Sequence, residues 1–337
     1  MSVDLRTRYL GLELKNPVVP SASPLSRSLD SARALEDAGA SAIVMYSLFE
    51  EELNEQLKQS AFLQQQEVGY SEAESFLPLH SDPGSGLDSY LEQLRRLKES
   101  LQIPVIASLN GVSLDGWVEN GRLLAEAGAD ALELNTYYVA ADPAVSADEM
   151  EQRYLSLLSE LRAVVSLPIT VKLSPFFSSL GNFISQLEAA GANGVSLFNR
   201  FYQPDIDIDS LRVAPTLQLS HSGDGLLAMR WLGLLRGRVG LSMAATGGIH
   251  TAEDALKMLL AGADVTHLCS ALLLHGPKQL RTVLNGIAAW LEESPYDSLE
   301  EIKGVLAQQH TRDPGAYERA SYVKMLDSYK VNRTAWD

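Results

Sequence analysis

Lys172 lies inside the apolar run ITVKL, Asn135 closes ALELN, Asn199 closes GVSLFN, and Gly247 and Gly248 precede the helical stretch TAEDAL. An ammonium in such a run is costly to bury unless an anion meets it. That anion is either Glu133, in a structural ion pair, or a bound group such as an anion or an electron-rich ring. Each asparagine taken alone reads first as a turn or cap residue, and their coincidence with Lys172 on one rim points instead to a ligand site. The glycine pair bares the backbone before a helix with Thr251 at its N-cap and Asp254 in its first turn, an arrangement suited to phosphate or to a simple tight turn. Ser270 and the amides around Cys269 follow another apolar run and could converge on the same place.

These residues need a scaffold that brings the ends of several strands together. One phrase occurs four times: AGASAIVMY from Ala38, AGADALELN from Ala127, AGANGVSLF from Ala190 and AGADVTHLC from Ala261. Each follows an amphipathic helical pattern and leads into an apolar run, which reads as a helix stopped at a glycine and then a buried strand. With NPVVPSA, IPVIASL, LPITVKL and RVGLSMAA, the strands number eight, over 17–21, 42–47, 104–109, 131–135, 168–173, 194–199, 240–245 and 265–270.

Eight alternating strand-helix units close most economically as an α/β fold of the parallel (β/α)8 barrel type, the TIM barrel. A doubly wound open sheet is the rival, and no GxGxxG follows the first strand to support it. In the fifth strand Ile169, Val171 and Leu173 share one face, so Lys172 belongs to the inward face. Long connections follow strand 2 (Phe49 to about Gly86), strand 4 (Thr136 to Ser146) and strand 6 (Asn199 to about Gly225). All fall on the C-terminal face, where barrel active sites lie, and are expected to act as lids. LRTRYLGLELKN, with a turn at Gly11, reads as an N-terminal hairpin plugging the opposite end. One domain is expected over 1–308, with a C-terminal extension over 309–337.

Composition excludes several functions. The chain of 337 residues carries 27 basic and 43 acidic side chains, a net charge of −16, which repels nucleic acid and anionic lipid. No run of about 18 apolar residues is present to span a membrane. The single cysteine forms no internal disulfide and suits a reducing compartment, and MSVDLRTRYL lacks the apolar stretch of a secretory signal, so a cytoplasmic location is expected. The six histidines show no HxxxH or HExxH spacing, so no metal site is expected, and no GxSxG marks a nucleophilic serine.

KNPVVPSAS, ELN, VKLSPFF, ATGGI with TAEDAL, SALLLHGP and the late YDSLEEIKG occur in order over Leu5 to Gly304. In this set the chain resembles the dihydroorotate dehydrogenases, especially their cytosolic class. The resemblance implies bound FMN and oxidation of a small molecule, dihydroorotate, to orotate in pyrimidine biosynthesis, in a family where homodimers are common. It places Lys172 beside the flavin, Asn135 between flavin and substrate, Asn199 at the substrate, and Gly247, Gly248, Cys269 and Ser270 around the phosphate. Ser21, Ala22, Ser23, Ser108 and Gly223 fall where the family's loops approach the flavin.

The departures are specific. The family's proton-abstracting Cys or Ser is replaced by Tyr138, in the run Asn135, Thr136, Tyr137, Tyr138, and a Lys-Ser pair at the second strand is replaced by Tyr46 and Ser47. Tyr138 is thereby the candidate base and Tyr46 a candidate substrate contact. Two other readings stay open: a barrel that binds FMN or another phosphate ligand without turnover inside a complex, and a flavin-free enzyme using Lys172 on a sugar phosphate. The electron acceptor is not specified, and with one cysteine an iron–sulfur relay would have to come from another subunit.

Overall fold

The computed structural model describes residues 3–49, 86–110, 114–136, 138–200, 203–215 and 217–318. Eight parallel strands form its centre: β3 (Val18–Pro20), β4 (Ile43–Phe49), β5 (Val105–Asn110), β6 (Ala131–Asn135), β7 (Ile169–Leu173), β8 (Gly194–Leu197), β11 (Ser242–Thr246) and β12 (Val265–Leu268). They pair in the order β3-β12-β11-β8-β7-β6-β5-β4. The two edges meet where Ser41, just before β4, donates its N–H (3.2 Å) and its hydroxyl (3.0 Å) to the carbonyl of Val18 on β3. The eight units therefore form a TIM barrel rather than an open sheet.

Helices α1 (Leu29–Asp37), α2 (Leu87–Ser100), α3 (Leu114–Glu126), α4 (Ala147–Val164), α5 (Leu180–Ala189), α6 (Leu226–Leu235), α7 (Ala252–Ala261), α8 (Ser270–His275), α9 (Lys278–Glu293) and α10 (Leu299–Ile302) accompany the strands. The repeated AGA phrase does what its pattern implies: Gly39, Gly128, Gly191 and Gly262 all have positive φ and reverse the chain from a helix into the next strand. None of the helices among the described residues is long and apolar enough to cross a membrane.

Alternation sorts the strand side chains. Ile169, Val171 and Leu173 pack outward in the shell of helices, while Thr170 and Lys172 face the barrel axis. The axis is layered. An apolar floor of Val19, Val44, Ile106, Ala131, Ala244 and Val265 is covered by Tyr9, Leu10 and Leu14 of the N-terminal hairpin. That hairpin, β1 (Thr7–Tyr9) and β2 (Leu12–Leu14), turns at Leu10 and Gly11, and Tyr9 and Leu10 are buried. Thr7 donates its hydroxyl to the carbonyl of Asp264, and the Leu10 N–H reaches the Ser242 hydroxyl. The expected plug is thus in place. Above the floor, Glu133, Thr170, Ser196 and His267 form a buried polar layer.

Two expected strands end early. The run to Asn199 stops as a strand at Leu197, and the run to Ser270 stops at Leu268, because Ser270 opens α8. Of the three long connections, 50–85 lies outside the described residues. The one after β8 carries an exposed antiparallel pair, β9 (Pro204–Asp207) and β10 (Arg212–Pro215). Residues 309–318 dock on α6, where Arg230 donates to the carbonyls of Tyr317 and Glu318. The rest of the expected C-terminal extension lies outside the described residues.

Candidate active site

At the C-terminal mouth of the barrel lies a cavity of about 260 Å³. Of the residues singled out from the sequence, Ser21, Ala22, Ser23, Tyr46, Asn135, Lys172, Asn199, Gly247, Gly248, Cys269 and Ser270 all line it. Alternation explains the convergence, since Ser21, Asn135, Lys172 and Cys269 continue the inward rows of β3, β6, β7 and β12.

Lys172 is 6% exposed and its Nζ lies 3.5 Å from Glu133 Oε1. Lys172 forms the ion pair with Glu133 on the neighbouring strand that one reading expects, and it also lines the cavity. The Glu133 carboxylate, fully buried, accepts from the Ser196 hydroxyl at 3.2 Å. His267 completes the layer, its Nδ1 3.9 Å from Glu133 Oε2 and beyond hydrogen-bonding reach. Burial pushes the His267 imidazole down to about 4, with the Lys172 cation adding to the fall and Glu133 opposing it. The ring is neutral at physiological pH, and neither nitrogen has a hydrogen-bond partner among the described residues. An unsatisfied buried polar group costs roughly 1–3 kcal/mol.

A chain of side-chain contacts crosses the rim. Asn199 Nδ2 donates to Asn135 Oδ1 (2.6 Å), Asn135 Nδ2 reaches Ser47 Oγ (3.4 Å), and Ser47 Oγ meets Ser108 Oγ (2.9 Å). Ser108 is fully buried and stands behind Ser47 rather than on the cavity wall, so its influence on the cavity passes through that hydroxyl.

The turns after β8, β11 and β12 meet on the other side. The Ser220 N–H donates to Ser270 Oγ (3.1 Å), and Ser220 Oγ contacts His250 Nε2 (3.2 Å). Gly247, with φ +87°, has nothing within 4 Å of where a Cβ would stand, so its backbone opens toward free space. A Cβ on Gly248 would lie 2.2 Å from the Gly225 amide nitrogen, which fixes glycine there by close packing. Among the described residues the N–H groups of Gly247 and Gly248 have no backbone partner. The start of α7 is already filled: the Asp254 carboxylate takes the N–H groups of His250 and Thr251 and the Ser222 hydroxyl. Burial works against its ionisation, but these hydrogen bonds prevail and hold Asp254 below the usual carboxylate range. An anion would therefore sit at the glycine pair, not at the helix terminus. Gly223, in the exposed turn Ser222–Gly225, does not reach the cavity.

Tyr138 also lies apart from Lys172. It lines a second cavity of about 610 Å³ with Tyr154, Phe176 and Phe177, and the Arg153 guanidinium stacks over its ring at 5.3 Å. The reason is local: the Tyr154 hydroxyl of α4 holds the Thr136 carbonyl at 3.0 Å, drawing the chain after Asn135 outward over that helix. Sequence reasoning also passed over His267, Arg27 and Arg200. Arg27 lies over the Tyr46 ring at 4.7 Å, and Arg200 Nη1 is buried without a hydrogen bond, 3.9 Å from Asp224 Oδ2. With Lys172 they give the cavity three cationic side chains and, among its described lining residues, no carboxylate. Burial raises the Cys269 thiol, against the pull of Lys172, so this cysteine is held as a thiol.

A family model described as dihydroorotate dehydrogenase matches residues 4–291. The chain belongs to the dihydroorotate dehydrogenase family. Similar proteins include the dihydroorotate dehydrogenase B (NAD(+)) catalytic subunit of Thermoplasma acidophilum, 26% identical over 90% of this chain and 98% of that one. The dihydroorotate dehydrogenase A (fumarate) of Lactobacillus delbrueckii subsp. bulgaricus is 27% identical over 90% and 98%. The NAD-dependent dihydropyrimidine dehydrogenase subunit PreA of Escherichia coli K12 is 24% identical over 90% of this chain and 77% of that one. Members of the dihydroorotate dehydrogenase family are flavoproteins, and the residues here fit such a group. The open backbone at Gly247, three cationic side chains on a wall with no carboxylate among its described lining residues, and the imidazole of His267 without a hydrogen-bond partner are compatible with a phosphate-bearing heteroaromatic group.

Proposed function

We propose that this chain is an FMN-dependent oxidoreductase acting on a CH–CH bond in a reduced pyrimidine ring, with dihydroorotate as the first substrate to test. The observation that carries the proposal is the cavity itself: in a chain of net charge −16 it gathers Lys172, Arg27 and Arg200 and no described carboxylate. Gly247, Gly248, Cys269 and Ser270 would hold the phosphate, and Ser21, Ala22 and Ser23 would flank the flavin. When bound, FMN supplies a two-electron acceptor at the mouth of the barrel.

The protein's own side chains then divide the work. Lys172, fixed by Glu133, supplies a positive charge where electron density would accumulate, so the charge is in place before the reaction starts. Asn135 and Asn199, locked together at 2.6 Å, present an amide edge to a substrate and fix its orientation. Tyr46, held by Arg27 on one side and packed against Tyr90 on the other, offers a phenol to the same space. Relatives named for NAD(+) and for fumarate differ in acceptor. An iron–sulfur relay would need cysteines from outside these 337 residues, which contain only one.

A second reading, a flavin-binding barrel without turnover, is favoured by one observation: Tyr138, at the family's base position, lies in the other cavity. One experiment separates the readings. The visible spectrum of the purified, FMN-loaded protein is recorded before and after anaerobic dihydroorotate. Flavin bands that bleach support the oxidoreductase with this substrate, and bands that persist with every reduced pyrimidine tried support the second reading. A colourless protein that takes up no FMN overturns both.

A further inference from the structure

The deepest polar group at the cavity has no role in the chemistry above. His267 is 1% exposed, lines the cavity, and has both ring nitrogens without a hydrogen-bond partner among the described residues. Its surroundings offer no internal solution. Tyr9 meets it edge-on, with ring centroids 6.0 Å apart, and spends its hydroxyl on Thr170 at 3.4 Å. Glu133, the nearest acceptor, is already engaged by Lys172 and Ser196. A phenylalanine or leucine would fill the same volume without burying two polar atoms, so a partner from the cavity side is the simplest reason for an imidazole here.

We infer that His267 is a ligand-contacting residue, whose neutral imidazole hydrogen-bonds the polar edge of the heteroaromatic ring bound beside Lys172. The inference rests on the FMN reading of the cavity and names one further residue of this chain that recognises the ring. A neutral imidazole carries one donor and one acceptor. It therefore suits a ring edge that presents both, and it adds no charge to the Lys172–Glu133 pair. The contact would serve binding and would tune how readily the ring takes electrons, since a hydrogen bond to one redox state is worth more than to the other.

The test uses FMN as the probe and the full chain, wild type and two variants, His267→Leu and His267→Gln. Leucine keeps the bulk and removes both polar atoms, whereas glutamine keeps a donor and an acceptor. Affinity is read by flavin fluorescence, together with the flavin spectrum and midpoint potential. The expected result is FMN affinity about tenfold weaker in His267→Leu, a factor worth about 1.4 kcal/mol, with a shifted spectrum and potential, and near-wild-type behaviour in His267→Gln. Equal affinity, spectrum and potential in all three proteins overturns the inference while leaving the FMN reading intact, and so does a glutamine variant as impaired as the leucine one. A wild-type protein that takes up no FMN overturns both. Should His267→Leu fail to fold, ¹⁵N-histidine spectra of wild-type protein decide: FMN must move the His267 ring-nitrogen resonances, and unmoved resonances overturn the contact.

Discussion

At the N-terminal end of the barrel, the buried Asp264 carboxylate is met by Arg236 (3.1 Å), Lys303 (3.2 Å) and the N–H of Met243 (2.8 Å). Toward the opposite end His267 is buried as deeply and makes no hydrogen bond, and the other buried side-chain atoms without a hydrogen bond among the described residues, Thr136 Oγ1 and Arg200 Nη1, follow strands at that end too. Both ends pay the cost of desolvating polar groups. The Asp264 cluster recovers it within the protein; at the other end Glu133 and Asn135 do so and His267 does not. The N-terminal end satisfies its buried charge internally, and under the proposed function the unused hydrogen-bonding capacity of the C-terminal end serves the bound ligand.

Substitutions can break or sharpen this contrast. The largest effect is expected from Asp264→Ala, which removes the buried carboxylate shared by Arg236 and Lys303 and leaves Lys303 with the exposed Glu300 alone. Stability in urea should fall by about 3–5 kcal/mol. FMN affinity should stay within twofold, and a comparable loss of FMN binding would erase the division between the ends.

Acid should expose the other end. The unfolded chain takes up a proton at His267 near 6.5, while the folded imidazole takes one only near 4. Between those values the unfolded state binds more protons, so stability drops as pH falls through the window, by up to about 3 kcal/mol for this group. Asp254, whose carboxyl lies below its ordinary value when folded, contributes its own loss only at lower pH. Urea titrations at pH 7 and pH 4.5 should show a smaller acid loss in His267→Gln than in the wild type, and equal losses would remove His267 from the account.

Gly247→Ala should cost about 1 kcal/mol in a thermal melt, because φ is +87°, and should weaken FMN by about tenfold by occupying the open cradle. Unchanged FMN affinity would move the phosphate elsewhere. The smallest effect belongs to Ile206→Ser on the exposed β9–β10 pair: Ile206 is 66% exposed, and the change should stay within about 0.5 kcal/mol and leave FMN binding untouched.

Much of the barrel could be read in the sequence because its signals are periodic. Helix, glycine and apolar strand recur, and alternation within ITVKL was enough to aim Lys172 at the axis, with Glu133 as one of two candidate partners. Irregular segments carry no such signal. Nothing in NTYYV announces that Tyr154, on the next helix, holds the Thr136 carbonyl and swings Tyr138 away from Lys172. Ser108 faces inward as its strand requires, but Ser47 stands between it and the cavity. His267 was overlooked because a lone histidine has no spacing to betray it. The inward row Val265, His267, Cys269 could have pointed to it. Arg27 ends a short 3-10 helix and Arg200 lies in irregular chain after β8, where only the three-dimensional path of the chain decides what a guanidinium faces.

The N-terminal hairpin also sets an order of assembly. Its anchors are remote: Thr7 meets Asp264 across 257 positions, and the Leu10 N–H meets Ser242 across 232. Loop closure over such spans is rewarded only after the intervening units are in place. During synthesis these residues emerge before β11 and β12, so these contacts can form only once both strands have followed. The plug under the barrel floor comes from residues that precede every barrel strand in the chain, yet its contacts are among the last that can close.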